Sequence, residues 1–158
     1  MKLHIRQRIF SWTDSYDIYD EDKNPRYEVR SRFWALSHRL HVYEKHSGKE
    51  IGAVSQRLFS LLPTFDIEIQ GRPAGTIRRK FTLLRQNYEV DYLGWTVEGD
   101  FIGWDYRVFR QDRKVMSIDK EWLTWSDTYT LTFRDPADEI PGLLLVLAID
   151  AANCSHND

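Results

Sequence analysis

At 158 residues, with 42% hydrophobic and 14% aromatic residues, the chain has the length of one domain and enough apolar side chains for a core, which excludes disorder. Lys and Arg number 22 against 24 Asp and Glu, a net charge of -2, so the basic excess usual in a dedicated nucleic-acid binder is missing and no nucleic-acid partner is expected. Cys154 is the single cysteine, so no internal disulfide forms and a reducing compartment, the cytoplasm, is the expected location.

The opening stretch, MKLHIRQRIFSWTDSYDIYD, lacks a continuous apolar run, so a signal peptide is not expected. Whether residues 1–12 add a strand is open at this level. Then a period of two sets in. Tyr16 and Ile18, Tyr27 and Val29, and Leu40 and Val42 each alternate with polar or half-polar neighbours. Phe65, Ile67 and Ile69 do the same, as do Tyr88, Val90 and Tyr92, then Trp95 and Val97. Ile102, Trp104, Tyr106 and Val108 form one face, and Tyr129, Leu131 and Phe133 another. Repeated alternation marks strands with one buried and one wet face.

Turn residues separate these runs: Asp22-Lys23-Asn24-Pro25, His46-Ser47-Gly48-Lys49, Gly71-Arg72-Pro73 and Gln111-Asp112-Arg113. Hairpin after hairpin predicts an antiparallel meander of about twelve short strands, and a sheet that large curls or closes to remove its edges. No helical period interrupts the run before residue 137, which excludes a βαβ fold.

The C-terminal segment differs. Asp138 is a candidate helix N-cap, with Glu139 and Pro141 tolerated in the first turn. Residues 142–152 are apolar on every side, as in a helix buried all round. A stretch of about fourteen residues gives a helix roughly 20 Å long, the length of a short barrel's axis. A fully buried last strand is the alternative, because an apolar run has no period to separate the two. Residues 143–149 are too short a run to span a bilayer, which takes about 20 apolar residues, so the chain is not transmembrane. The expected fold is therefore mainly β: one domain over 1–158, a closed antiparallel barrel around a buried C-terminal helix.

Few residues suggest chemistry. His38, His41 and His46 lie close in sequence, but on a strand positions 38 and 41 face opposite ways and cannot share a metal ion. No nucleophile elbow, phosphate loop or dinucleotide fingerprint is present. Cys154 has only His156 near it, on a terminal segment ill suited to a rigid nucleophile. No catalytic residue, metal site or cofactor is expected. The tryptophans read as packing. Asp150 stands out, because a carboxylate on an apolar helix needs a partner or a raised pKa. It is expected at the barrel's end, taking hydrogen bonds from neighbouring strands or an Arg.

Several short segments, in their order and spacing, carry a family resemblance. They are Tyr16-Asp17-Ile18-Tyr19-Asp20 with Tyr27-Glu28-Val29, then Ser47-Gly48-Lys49-Glu50-Ile51-Gly52, Ile118-Asp119-Lys120, Trp125-Ser126-Asp127-Thr128-Tyr129, and the apolar helix ending Ile149-Asp150. Over nearly its whole length the chain resembles small bacterial members of the LURP-one-related family, within the tubby C-terminal-like superfamily. The resemblance implies a lipid-facing role, since tubby domains bind phosphoinositide headgroups. It directs attention to residues 71–88, which hold Arg72, Arg78, Arg79, Lys80 and Arg85 and no acid. On a strand, Thr76, Arg78 and Lys80 share one face and Ile77, Arg79 and Phe81 the other. Arg78 and Lys80, with Arg72, form the candidate site for an anionic headgroup, Arg as a fork and Lys as a point charge. A second acid-free window, residues 29–43, offers Arg30, Arg32, His38 and Arg39. The leading expectation is a non-enzymatic module for phosphoinositide or other phospholipid headgroups at a membrane surface. The alternatives are a cytoplasmic interaction or signalling scaffold for a protein partner, and a carrier or enzyme for a small apolar ligand, with a cavity beside the helix.

Overall fold

The computed structural model of the chain describes residues 1–6, 15–34, 37–81, 86–100, 103, 105–121 and 128–154. Twelve strands follow in chain order: β1 (Lys2–Arg6), β2 (Tyr16–Tyr19), β3 (Pro25–Trp34), β4 (Ser37–Glu44), β5 (Glu50–Gln56), β6 (Thr64–Ile69), β7 (Arg72–Phe81), β8 (Gln86–Tyr92), β9 (Trp95–Asp100), β10 (Asp105–Arg110), β11 (Arg113–Glu121) and β12 (Thr128–Phe133). A 3-10 turn, Pro136–Asp138, leads into α1 (Glu139–Cys154), the one α-helix among the described residues.

All the pairings are antiparallel, and the sheet order is β8-β7-β6-β5-β4-β3-β2-β1-β12-β11-β10-β9. The opening segment does add a strand: β1 lies between β2 and β12, with Leu3 opposite Leu131 and Ile5 opposite Ile18. It thereby joins the first and last thirds of the meander into one nearly closed barrel. The remaining seam lies between β8 and β9. Leu93 and Gly94 connect these strands with φ of +54° and +65°, the left-handed pair a two-residue turn needs.

The alternating residues face inward as their period predicts. Ile18, Val29, Val42, Phe65, Ile77, Val108 and Leu131 are fully buried. They pack against α1, whose residues 143–149 are at most 1% exposed. The last apolar segment is thus a helix and not a strand, because the barrel wall surrounds it on every side.

Gly52 of β5 and Gly142 of α1 let the helix sit this close. A methyl group on Gly52 would lie 2.5 Å from Leu144 Cδ1 and 2.8 Å from the Glu68 carbonyl oxygen. One on Gly142 would lie 2.5 Å from Met116 Sδ.

Ionic ties fix the start of α1. Glu139 is buried, takes Arg26 Nε at 2.5 Å, and accepts from the Tyr27 hydroxyl. Asp138 accepts from Arg110 Nη2 at 2.7 Å. Asp135 caps the preceding 3-10 turn, accepting from the Ala137 amide at 2.9 Å. Asp138 is committed to the strand wall, where its charge sits at the positive end of the helix. The Tyr92 hydroxyl donates to the Pro141 carbonyl at 2.9 Å.

Candidate functional site

The barrel has two unlike rims. The one at the start of α1 carries the turn Asp20-Glu21-Asp22 between β2 and β3. The other, at the end of α1, carries the β5–β6 connection, with the ends of β3 and β4 on one side and of β7 and β8 on the other in sheet order. Both acid-free windows of the sequence run to this second rim.

Here β7 places the predicted cations. Ile77 and Arg79 are buried, while Arg78 and Lys80 project to solvent. Arg78 has no ion-pair partner among the described residues. Lys80 Nζ lies 3.2 Å from Glu89 Oε2, with both side chains about half exposed. Glu89 is also the cross-strand partner of Arg78. An exposed pair of this kind contributes at most about 1 kcal/mol, so it competes weakly with an incoming phosphate.

Arg72 does not join them. It begins β7 at the opposite rim, opposite Ile69, and six residues of extended chain put it about 20 Å from Arg78. Of the second window, Arg30 is held by Glu28 at 2.9 Å and lies over the Tyr43 ring, and Arg39 is held by Glu68 at 2.7 Å. Arg32 is exposed and, among the described residues, unpaired. His41 faces outward to Glu50 at 2.9 Å, on the opposite strand face from His38. Arg85, His156 and the side chain of Cys154 lie outside the described residues.

Arg78 borders an open recess of about 430 Å³, shared with Arg57, Phe59, Ser60, Leu61 and Leu62 of the β5–β6 connection. This connection folds over the outer face of the sheet and covers Thr64, which is 0% exposed. The Arg57 amide donates to the Thr64 carbonyl at 2.8 Å, and the Arg79 amide to that of Pro63 at 2.9 Å. Ser60 Oγ and Thr64 Oγ1 are 2.9 Å apart, and Thr64 Oγ1 donates to the Leu62 carbonyl at 2.9 Å. Arg57 binds both oxygens of Asp66, at 2.5 and 3.1 Å.

Sequence reasoning passed over residues 57–63. Their signal is a lost alternation: Leu58, Phe59, Leu61 and Leu62 break the period of two, and although Leu58, Leu61 and Leu62 stand at helical spacing, Pro63 cuts the run short.

The sequence model of the LURP-one-related family matches residues 1–150. The chain belongs to that family. The chain is similar to the uncharacterised protein YxjI of Bacillus subtilis (strain 168), with 29% identity over 158 residues, covering 100% of this chain and 97% of that one. In structure it is similar to a protein from Arabidopsis thaliana solved by X-ray crystallography, with a TM-score of 0.61 and 12% identity over 95% of this chain and 91% of that one. At that identity the likeness concerns the fold, a mainly β barrel with a C-terminal helix. No helix among the described residues is long and apolar enough to cross a membrane.

Inside the same rim lies a polar group of side chains. Asp150 and Asn153 share the last turns of α1, and the Tyr88 hydroxyl donates to Asn153 Oδ1. Tyr106 is 0% exposed, and burial, with Asp150 and Tyr88 nearby, pushes its hydroxyl pKa well up. Part of the Asp150 residue still reaches the surface, but its carboxyl lies inside, and burial raises its pKa to about 7. Asp150 thus occupies the barrel's end, where the sequence put it. Arg79, 2% exposed, stands opposite Tyr88 on the inner face.

Proposed function

We propose that this member of the LURP-one-related family is a non-enzymatic module that holds the phosphate of an anionic phospholipid headgroup at a membrane surface. Arg78 is the principal contact and Lys80 the second. The observation that carries this reading is the setting of Arg78: an exposed guanidinium without an ion-pair partner among the described residues, at the mouth of a recess that also presents apolar side chains. A phospholipid offers that combination, a phosphate beside hydrocarbon. Arg binds phosphate through two parallel N–H bonds, and Lys80, two residues along the strand and about 7 Å away, supplies a point charge for a second oxygen or a second phosphate. The alternative, a scaffold for a protein partner, draws on the same exposed Leu58, Phe59 and Leu61.

Co-sedimentation with liposomes decides between them. The protein should pellet with anionic vesicles in preference to neutral ones, less so as salt rises, and Arg78→Glu/Lys80→Glu should abolish the preference while leaving the fold intact. A protein that stays in the supernatant under every condition would refute the headgroup reading.

A further inference from the structure

Leu58, Phe59 and Leu61 are 43%, 99% and 102% exposed, three of the five large hydrophobic side chains that stand in water among the described residues. The other two, Met1 and Leu93, are isolated from one another and from this loop in sequence, so single exposure of that kind needs no explanation. A cluster of three within four residues does.

The backbone adds a second observation. Phe59 has φ of +59°, in the left-handed region that disfavours a bulky side chain. Gly or Asn would fit such a position with less strain. Here a Phe is held there, pointed away from the protein.

The loop is also tied down by its own polar groups. Arg57 and Pro63 are in backbone hydrogen bonds, Ser60 and Thr64 share a hydroxyl contact, Thr64 caps the Leu62 carbonyl, and Arg57 is neutralised by Asp66. These pairings fix the two ends of the loop, with Arg57 and Asp66 themselves still partly exposed, and leave Leu58, Phe59 and Leu61 facing outward.

We propose that residues 58–62 are a hydrophobic anchor that inserts Phe59 and Leu61 into the acyl boundary of a lipid bilayer, with Arg78 at the depth of the phosphates. The inference rests on the membrane-facing reading above and adds the part that enters the bilayer. Charge complementarity selects the occupant. Unpaired Arg78 flanks the loop, and Arg32 stands on the same rim, in the neighbouring β3–β4 hairpin, while Lys80 is met only by the half-exposed Glu89. An anionic membrane is therefore attracted to the cations beside this loop. The two fully exposed side chains protrude from the rim beside the recess that Arg78 borders.

The test uses the full chain carrying Cys154→Ser and Leu61→Cys, labelled at the new thiol with an environment-sensitive fluorophore. Vesicles of phosphatidylcholine alone, or with phosphatidylserine, serve as the membrane. Insertion predicts a blue-shifted emission on the anionic vesicles and quenching by brominated acyl chains. Phe59→Ser/Leu61→Ser should weaken vesicle binding about a hundredfold, and since both side chains are exposed its urea midpoint should stay unchanged.

A water-like emission, with the Ser variant pelleting as wild type does, overturns the anchor and leaves the headgroup reading intact. A blue shift on neutral vesicles, undiminished by Arg78→Glu/Lys80→Glu, sustains the anchor and overturns the headgroup reading. No pelleting with any vesicle overturns both. A blue shift that grows with protein concentration in the absence of lipid assigns the patch to a second copy of the chain and overturns the bilayer as occupant.

Discussion

Replacing Asp150 with asparagine should change how stability depends on pH. Burial places the folded-state pKa at about 7, against an ordinary value of 3.8. Below the ordinary value both the folded and the unfolded chain hold this proton. As pH rises between the two values, the unfolded chain releases the proton while the folded protein keeps it, so unfolding becomes easier with each increment. Above the folded-state value both are ionised and the loss is complete. The gap corresponds to about 4 kcal/mol as an upper limit. Tyr106, which is coupled to Asp150, is pushed up by burial and by Asp150 itself, so it stays neutral and adds no slope in this window. Glu28 is held below its ordinary value, chiefly by its hydrogen bonds from Arg30, and gives the opposite slope at lower pH. That contribution is common to both proteins and subtracts out. Urea unfolding of wild type and Asp150→Asn across this range measures the difference. The variant should gain on wild type by up to about 4 kcal/mol from about pH 4 to about pH 7 and hold a constant difference above. Stability curves that run parallel throughout would show that the Asp150 carboxyl ionises in the folded barrel as freely as in water.

Two further substitutions test how the helix is seated. Gly52→Ala places a methyl group against Leu144 Cδ1 and the Glu68 carbonyl. The Leu144 tip can rotate but the β6 backbone cannot, so stability should fall by about 1–3 kcal/mol in urea unfolding, and an unchanged midpoint would mean that α1 shifts freely within the barrel. Glu139→Ala leaves Arg26 and the Tyr27 hydroxyl without their acceptor at the helix start. It should cost about 2–3 kcal/mol, with Glu139→Gln costing less because it still accepts from Tyr27, and equal losses for the two would assign the effect to packing.

Most strands were legible because they have one wet face, whereas β5 buries Ile51 to Val54 on both faces and shows no alternation. Tyr88, Val90 and Tyr92, or Tyr129, Leu131 and Phe133, announce their direction by alternation alone. The N-terminal strand was not, since Leu3 and Ile5 make only one repeat before the pattern ends, and what places β1 is its pairing with β12, far away in sequence. The helix was ambiguous for a different reason. A segment enclosed on all sides shows no period, and only the surrounding wall decides its conformation. Gly52 lay within the motif that carried the family resemblance, but its purpose, room for Leu144, depends on a contact that no local pattern encodes.

The candidate site divides along the same line. The opposite faces of Arg78 and Arg79 follow from strand geometry, and so does the failure of Arg72 to reach them: a shared acid-free window does not imply shared space when each residue advances the chain by about 3.3 Å. The exposed loop was missed because the rule applied to every apolar run was that it marks the interior. Residues 57–63 obey the opposite rule. Thr64, a polar side chain, is the buried one there, and Phe59 is the exposed one. An inversion of this kind is visible in sequence only as a break, an apolar run that loses the alternation and is cut short by a proline. It becomes informative once the sheet order sets Arg78 beside it. Basic and apolar side chains then share one rim through a juxtaposition of β5, β6 and β7, which is why neither the charge windows nor the hydrophobic pattern revealed it alone.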